Sequence, residues 1–371
     1  MKAFYLSISF IMLSIGCFAQ ELAVVRNSYG KGFMSKEGKI VIDTQFKDAR
    51  PFSEGLAAVY DGTNWGYIDL KGEWVIKPTF AKARDFSSGI ALVNTGKEWQ
   101  YINDKGQPLS NINVGSKAYD FNEGVALYKP MSKLGLINTD GEMILPPTYD
   151  IIKPFNNGYA KVKLGNKWGI INTKGEVVIE VKYDNIGDYV EGVTWVFKEG
   201  SFYLLNNGIK LHLPNVTDVI SNLDSQHIIV KGWQGKGMIN AEGKVLLPFT
   251  YSDVREYNHG LIPVKDKWMW GYVNESNEVI IDFKYNDALP FSDDGLAAVK
   301  DKKWGFINKE AQLIVPFVYD ITALDFSFKK QEKGFVSGFA RVKYKNKWGF
   351  INTQGKVLAN KWFSNAELFS K

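Results

Sequence analysis

The sequence of 371 residues contains only one cysteine, Cys17, and three histidines, His212, His227 and His259. One cysteine excludes a disulfide within the chain, and the histidines lack the His-x-x-x-His or His-Glu-x-x-His spacing of a metal site. No Gly-x-Ser-x-Gly segment is present, which removes the usual signature of a serine hydrolase elbow. These shortages predict a protein with no metal ion, no cofactor and no catalytic residues.

Blocks of like charge and long apolar runs are also missing. The 45 Lys and Arg residues and the 40 Asp and Glu residues give a net charge of +5, spread evenly along the chain. Nucleic-acid-binding proteins usually carry a basic stripe, so we expect no nucleic-acid partner. No apolar run reaches the roughly 20 residues of a spanning helix, so we expect no integral membrane span.

The amino-terminal segment 1–19 differs from the rest of the chain and predicts a secretory signal. Lys2 precedes a short, mostly apolar run, and the small residues Cys17 and Ala19 stand at the two specificity positions of a cleavage site after that run. Cleavage after Ala19 would leave a mature chain of residues 20–371. We therefore expect export to the periplasm or to the outside of the cell.

Cys17 leaves one alternative open for this segment. A lipoprotein signal would attach lipid to Cys17, and the protein would then be anchored to a membrane surface. The usual lipoprotein pattern resembles Leu-x-Gly/Ala-Cys, whereas Leu13 lies four residues before the cysteine rather than three. Ordinary cleavage fits the small residues better, and it would remove the only cysteine.

The remaining chain repeats one unit about ten times. A Trp-Gly pair or its substitute recurs every 34 residues, with one interval of 35 and one of 44, and begins at residues 31, 65, 99, 134, 168, 202, 236, 270, 304 and 348. A fixed period of this size marks an architecture in which each unit buries a face against its neighbours. The units occupy the whole mature chain, so we expect a single domain.

Each unit contains three short runs that read as strands. In the ninth unit the first two are Gly295–Lys300 and Trp304–Asn308, and Glu176–Ile179 represents the third. β-Branched and aromatic runs separated by turns with Gly or Asn predict an antiparallel meander, and hence an all-β fold. The crossover to the next unit, such as Pro147–Phe155, holds either a fourth short strand or a turn of helix.

Two arrangements of ten such units are open. We predict an open, curved, solenoid-like array, because stacking between nearest neighbours allows any number of units. Natural propellers usually have about four to eight blades, fewer than the ten units here. The alternative is a closed, β-propeller-like ring, which a whole number of units also suits.

The repeated motifs resemble those of the bacterial WG-repeat, or KWG-repeat, proteins. Lys-Trp-Gly-Phe/Ile-Ile-Asn-x-x-Gly occurs at Lys167–Gly175 and Lys347–Gly355, and Phe-Ser-x-Gly-Leu-Ala-Ala-Val occurs at Phe52–Val59. The resemblance implies a β-rich tandem array without a shared catalytic activity or cofactor. Units that depart from the motif are expected to pack less uniformly. The departures lie at Lys31, Gln100, Phe202-Tyr203 and Lys236.

The tryptophans fall into two groups. Those in the repeat register are predicted to pack between units. They are Trp65, Trp99, Trp168, Trp270, Trp304 and Trp348. The others fall outside that register and are Trp74, Trp195, Trp233, Trp268 and Trp362. An indole can stack on a sugar ring or a peptide side chain, so Trp74, Trp195, Trp233 and Trp268 are candidate ligand contacts, with gap filling as the alternative.

An insertion at residues 324–334 lengthens the ninth crossover and adds two further candidate contacts, Phe326 and Phe328. Insertions in repeat proteins project as loops from one face, which is often the binding face.

Together these features predict an exported, non-enzymatic binding or protein-interaction scaffold, whose partner is an unidentified protein or glycan. The alternative is a carbohydrate-binding or carbohydrate-active protein that draws acidic residues from separate repeats. Asp293 and Asp294 illustrate such carboxylates, and His259 replaces a turn Glu that we expect to be solvated. Two carboxyl groups about 5 to 9.5 Å apart in a cleft would support the enzyme.

Overall fold

The structure is a computed structural model that describes residues 20–112, 114, 117–222, 224–320 and 334–371. The predicted signal and most of the insertion, including Phe326 and Phe328, lie outside the described residues. The strands form ten small antiparallel sheets, one for each predicted unit, arranged in a ring. The all-β prediction and the number of units are therefore confirmed.

Each sheet is a blade, and a complete blade has four strands, a to d, in the order in which the chain forms them. Blade 1 contains β1 (Leu22–Arg26), β2 (Lys31–Ser35) and β3 (Ile40–Phe46). Blade 2 contains β4 (Asp48–Ala49), β5 (Ala57–Tyr60), β6 (Trp65–Ile68) and β7 (Trp74–Phe80). Blade 3 contains β8 (Lys82–Ala83), β9 (Ile90–Asn94) and β10 (Trp99–Asn103). Blade 4 contains β11 (Val125–Tyr128), β12 (Leu134–Asn138) and β13 (Met143–Tyr149). Blade 5 contains β14 (Ile151–Ile152), β15 (Tyr159–Leu164), β16 (Lys167–Asn172) and β17 (Val177–Tyr183).

The second half of the ring repeats this pattern. Blade 6 contains β18 (Asn185–Ile186), β19 (Val193–Lys198), β20 (Ser201–Asn206) and β21 (Ile209–His212). Blade 7 contains β22 (Asp218–Asn222), β23 (Ile228–Lys231), β24 (Lys236–Ile239) and β25 (Val245–Tyr251). Blade 8 contains β26 (Asp253–Val254), β27 (Ile262–Asp266), β28 (Met269–Val273) and β29 (Val279–Tyr285). Blade 9 contains β30 (Asp287–Phe291), β31 (Ala297–Lys300), β32 (Trp304–Ile307) and β33 (Leu313–Tyr319). Blade 10 contains β34 (Phe335–Val336), β35 (Phe339–Tyr344), β36 (Lys347–Asn352) and a 3-10 helix at Leu358–Asn360, and β37 (Asn365–Ser370) ends the chain.

The crossover between units contributes a fourth strand rather than a turn of helix. In blade 2 the two residues of β4 pair with β5, Asp48 opposite Tyr60 and Ala49 opposite Val59. Ala49 is buried while Asp48 stays near the surface, which is the alternation that a strand produces. The described residues form a strand a ahead of strand b in blades 2, 3 and 5 to 10, whereas the sheet of blade 4 begins with strand b.

The last strand of the chain closes the ring. β37 pairs antiparallel with β1, with Leu22 opposite Ser370 and Ala23 opposite Phe369, so it supplies the missing strand a of blade 1. The open array predicted from the sequence is therefore wrong, and the alternative, a closed propeller-like ring, is the fold. Pairing the two ends removes the exposed backbone edge that β1 would have in an open array.

The core is divided among the junctions between blades, and ten apolar clusters of buried residues account for ten junctions. One cluster joins Phe350 and Phe363 of blade 10 to Ala23, Val25 and Met34 of blade 1. The first and last blades thus share a core as the other neighbours do. Side-chain packing and backbone pairing both close the ring.

The Trp-Gly motif is explained by a bulge in strand d. Trp65 lies opposite Phe80 and Tyr67 lies opposite Ile76, so the outer strand has extra residues where it passes Gly66. A Cβ placed on Gly66 would lie 2.6 Å from the carbonyl oxygen of Ile76, well inside contact distance. Glycine is needed here because the backbone of the bulge approaches too closely for any side chain.

The two blades without this glycine lack the bulge. Gln100 takes its place in blade 3, where strand d is missing from the sheet. Tyr203 takes its place in blade 6, where β20 and β21 pair in an uninterrupted register. The expectation that these units pack differently is confirmed for both. The expectation is wrong for Lys31 and Lys236, because both keep the following glycine and their blades have four strands and the bulge.

Most tryptophans of the repeat register are half-buried, and Trp270 is fully buried. Cationic side chains cover several of these rings. The guanidinium groups of Arg255 and Arg341 lie 4.1 and 4.3 Å from the ring centres of Trp270 and Trp348. These indoles contribute to the core on one side and to cation–π contacts on the other.

Candidate functional site

The b–c hairpins of the ten blades turn at one face of the ring, because the blades share one strand order and one direction. We call this the hairpin face. Its tips are residues 27–30, 61–64, 95–98, 129–133, 165–166, 199–200, 232–235, 267–268, 301–303 and 345–346. The a–b and c–d connections lie on the opposite face, which we call the latch face.

Two of the predicted contact residues occupy neighbouring tips of the hairpin face. Trp233 is at the tip of blade 7 and is 88% exposed, and Trp268 is at the tip of blade 8 and is 82% exposed. The Trp233 turn is closed by a hydrogen bond from the backbone N–H of Gly232 to the carbonyl oxygen of Gly235, at 2.8 Å. Both indoles therefore stand in water on well-formed turns.

Other hairpin tips share this feature or carry positive charge. Tyr29 and Met131, at the tips of blades 1 and 4, are also more than four-fifths exposed. Lysines are concentrated at the tips of blades 7 to 10. Those with exposed side chains at or beside these tips are Lys231, Lys267, Lys302, Lys303, Lys345 and Lys347.

The remaining off-register tryptophans have different surroundings. Trp74 lies on strand β7, is 40% exposed and meets Phe46 of blade 1 edge-on, with ring centres 5.9 Å apart. Trp195 is half-buried in blade 6, with its ring centre 5.8 Å from that of Phe202. Trp362 is half-buried in blade 10 beside Tyr344. Among these five indoles, Trp233 and Trp268 are the two that are more than four-fifths exposed.

The latch face carries a repeated contact between successive blades. The Glu54 carboxylate of blade 2 accepts hydrogen bonds from the backbone N–H groups of Ser88 and Gly89 in blade 3, at 2.7 and 2.8 Å. Glu123 of blade 4 makes the same pair of contacts to blade 5. A carboxylate that accepts two backbone hydrogen bonds ties one turn to the next. We call this contact the latch.

The candidate carboxylates of the carbohydrate-active alternative are part of this system. Asp294 accepts a hydrogen bond from the backbone N–H of Gly338 in blade 10, at 3.0 Å. Asp293 lies 2.8 Å from Nε2 of His259 in blade 8. His259, expected to be a solvated turn residue, thus bridges two blades in the place of a latch Glu.

The structure also assembles a polar cluster that the sequence did not indicate. The His227 ring in blade 7 stacks on Tyr257 of blade 8, with ring centres 3.9 Å apart and planes within 7°. Nδ1 of His227 lies 3.1 Å from Asp224, and Nε2 lies 3.0 Å from Glu275 of blade 8. Burial, followed by the nearby Glu275 carboxylate, raises the pKa of Tyr257. The one sequence signal was a histidine at the start of strand b, where Leu56 and Leu261 are apolar.

A groove with a volume of about 300 Å³ runs between blades 8 and 9. Its apolar lining comes from Tyr285, Ile307, Ala311, Leu313 and Phe317, and its charged lining comes from Lys284 and Asp301. Ala311 stands at the turn position that most blades fill with glycine. The groove has the volume of a small ligand site and opens on the side of the ring.

Buried tyrosines fasten neighbouring blades. The Tyr101 hydroxyl donates a hydrogen bond to the carbonyl oxygen of Tyr119 at 2.7 Å, and burial raises the pKa of Tyr101 to about 12. Tyr67 donates in the same way to Arg84, and its pKa is raised further by burial. Both hydroxyls therefore remain protonated at neutral pH and act as structural donors.

No group of three or more His, Cys, Asp or Glu side chains in residues 20–112, 114, 117–222, 224–320 and 334–371 is arranged to hold a metal ion. Within the same ranges, no helix is both long enough and apolar enough to cross a membrane.

Several solved structures are similar to this chain at low sequence identity. A eukaryotic initiation factor is 10% identical, with a TM-score of 0.53, over 94% of this chain and 97% of its own. The dihydro-heme d1 dehydrogenase NirN is 9% identical, with a TM-score of 0.36, over 95% of this chain and 74% of its own. The extracellular domain of a hybrid two-component system from B. thetaiotaomicron is 10% identical, with a TM-score of 0.27, over 90% and 54%.

No curated protein matches the chain. The model of the WG containing repeat matches eight stretches, which are residues 32–62, 65–99, 135–168, 168–201, 237–267, 270–303, 304–327 and 348–371. The two long stretches between these matches begin at Gln100 and Phe202, where the Trp-Gly motif is lost. The matched residues make up more than half of the chain, and we conclude that it belongs to the WG-repeat family.

Proposed function

We propose that this chain is an exported binding protein without catalytic activity, in which the ring is a rigid scaffold and the hairpin face holds a partner. The observation that carries the proposal is the pair of solvent-exposed indoles, Trp233 and Trp268, on the tips of adjacent blades. Tryptophan is one of the residues that contribute most to binding when a partner covers it. Two exposed indoles on adjacent tips of one face therefore form a suitable contact surface.

The rest of the ring supports a scaffold role. Apolar clusters at the junctions, the latches of Glu54 and Glu123, and the hydrogen bonds of buried tyrosines all join successive blades. Because β37 pairs with β1, the first blade has no unpaired backbone edge at which unfolding could begin. The hairpin tips are thus held in fixed relative positions, which lowers the entropy that binding must overcome.

Export is part of the proposal because of the predicted secretory signal at residues 1–19, with Lys2 before an apolar run. The mature chain would begin at Gln20 and meet its partner in the periplasm or outside the cell.

The carbohydrate-active alternative has less support. Asp293 and Asp294 contact His259 and Gly338, so both carboxylates already take part in contacts between blades. A pair of acidic groups facing each other across a cleft is what a glycosidase would require. Binding of carbohydrate without hydrolysis is compatible with the exposed indoles, so a glycan remains one of the partners that the proposal allows.

Arrays of glycans and peptides, probed with mature chain 20–371, test the proposal. Trp233→Ala/Trp268→Ala is the test variant, and Trp74→Ala on the side of the ring is the control. We expect a bound spot whose signal falls about tenfold or more in the double variant and little in the control. Equal signal from the folded double variant, or no bound spot for any folded protein, would overturn the proposal.

A further inference from the structure

We propose that the hairpin tips of blades 7 to 10 bind an acidic glycan, a chain of sugar rings that carry carboxylates. This inference rests on the proposed function of the hairpin face and names the chemistry of its ligand. We call these four tips the basic arc, which consists of residues 231–236, 266–268, 301–303 and 345–347.

Charge is the first feature that selects the ligand. The basic arc contains seven lysines and two aspartates, Asp266 and Asp301. Two of its lysines are neutralised by an aspartate that comes just after strand d of the same blade, since Lys236 lies 2.6 Å from Asp253 and Lys303 lies 2.7 Å from Asp320. The other five make no salt bridge to any residue that the structure describes, and they are Lys231, Lys267, Lys302, Lys345 and Lys347.

Ammonium groups on successive tips, without a salt bridge among the described residues, attract a polymer with regularly spaced negative charges. Each exposed ion pair contributes little by itself, because water and salt screen it. Several such pairs along one bound chain reinforce each other, since after the first contact the others form within the same complex. A single small anion gains no such advantage on this surface.

The indoles are the second feature, and they favour sugar rings over a protein surface. Trp233 and Trp268 stand on turn tips beside Gln234, Gly235 and Lys267. A protein partner usually buries a continuous apolar patch surrounded by a polar rim. A pyranose ring needs only one indole face, against which its C–H groups pack, while its hydroxyl and carboxylate groups stay hydrated or contact lysines.

The two features together specify a uronate-type polymer. Indoles alone would also suit a neutral glycan, and lysines alone would also suit an acidic peptide. Both occur on the same run of adjacent tips, where one extended polymer can reach the indoles of blades 7 and 8 and the lysines of blades 7 to 10.

Calorimetric titration of mature chain 20–371 with size-fractionated polygalacturonate tests the inference. Dextran serves as the neutral glycan and poly-L-glutamate as the acidic peptide, each at low salt and at about 0.3 M NaCl. The variants are Trp233→Ala/Trp268→Ala and Lys231→Glu/Lys267→Glu/Lys302→Glu. The matched control is Lys71→Glu/Lys105→Glu/Lys174→Glu, which reverses three exposed lysines on c–d turns of the latch face.

We expect polygalacturonate to bind more tightly than either comparison polymer and to weaken at the higher salt concentration. Both hairpin-face variants should lose about tenfold or more in affinity, and the latch-face control about twofold or less. If dextran binds as tightly as polygalacturonate, the ligand does not need carboxylates and the inference is wrong. If poly-L-glutamate binds as tightly as polygalacturonate and still binds the Trp233→Ala/Trp268→Ala variant, the ligand is not a glycan and the inference is wrong. Absence of polygalacturonate binding would overturn this inference, while a Trp-dependent spot on the arrays would leave the proposed function standing.

Discussion

In blade 2 the carbonyl oxygen of Ile76 lies directly over Gly66, only 2.6 Å from the position that a Cβ on this glycine would occupy. The same approach recurs where Gly271 and Gly305 face Ile281 and Val315, each also at 2.6 Å. The glycine of the motif therefore marks the place where strand d bulges across strand c. The neighbouring tryptophan belongs to strand c, as the glycine does, and packs beside the bulge.

Replacing Gly66 by alanine should force the bulge away from strand c. We expect Gly66→Ala to lower the free energy of unfolding by about 1–3 kcal/mol, the usual effect of overpacking, measured by chemical denaturation. Gln100→Ala is the control, because blade 3 lacks a strand d over this position. Equal stability of Gly66→Ala and the unaltered protein would contradict the proposed role of the glycine.

Removing the last strand should open the ring. Deletion of residues 365–371 leaves one edge of β1 unpaired, since only β2 still pairs with it, and uncovers the cluster that contains Ala23 and Phe350. We expect a lower melting temperature and association through the exposed β1 edge, measured by thermal denaturation and light scattering. A monomeric deletion variant with unchanged melting would show that closure does not stabilise the ring.

His227 should stabilise the junction between blades 7 and 8. His227→Ala removes the stacking on Tyr257 and the hydrogen bonds to Asp224 and Glu275, and we expect a loss of about 1–3 kcal/mol in unfolding free energy. His227→Leu restores the apolar side chain found at Leu56 and should lose less. Chemical denaturation of both variants measures the difference, and unchanged stability in both would contradict this role.

Lys167 should control the acidity of Asp184. The hydrogen bond from Lys167, followed by that from the Glu199 backbone N–H, lowers the pKa of Asp184. Because the pKa is lower in the folded state, the pair stabilises the fold above the unfolded-state pKa, and this contribution is lost as the pH falls through the folded-state pKa. We expect Lys167→Met to raise the pKa of Asp184 toward its usual value, measured by carbon NMR titration of the carboxyl group.

Lys71→Met is the control for this titration, because Lys71 lies on a distant c–d turn. Lys167→Met should also reduce the loss of stability between about pH 5 and pH 2. The variant lacks the stabilising contact with Lys167, so protonation of Asp184 removes less free energy of unfolding. An unchanged Asp184 titration in Lys167→Met would mean that the backbone hydrogen bond alone sets its acidity.

Tryptophans outside the repeat register have different surroundings in the ring. Trp233 and Trp268 break the register, and the structure exposes both on one face. Trp195 breaks the register equally, yet it is half-buried against Phe202. Register alone cannot separate these outcomes, because exposure depends on whether the residue falls on a hairpin tip or within a strand.

The polar cluster of His227 and Glu275 was missed for a related reason. The two residues are 48 positions apart and belong to different blades. Their contact depends on how one blade leans on the next, which a single sequence does not encode in any local pattern.

The period, the number of units, the strands and the role of the Trp-Gly motif were determined by the sequence alone, because side-chain alternation and turn chemistry act over a few residues. Tertiary structure decided that the array closes, that the crossover forms a strand, and that exposed indoles and lysines share one face. Closure depends on the small rotation between successive blades, which accumulates over ten junctions until β37 meets β1. The sequence of a single unit does not specify this accumulated rotation.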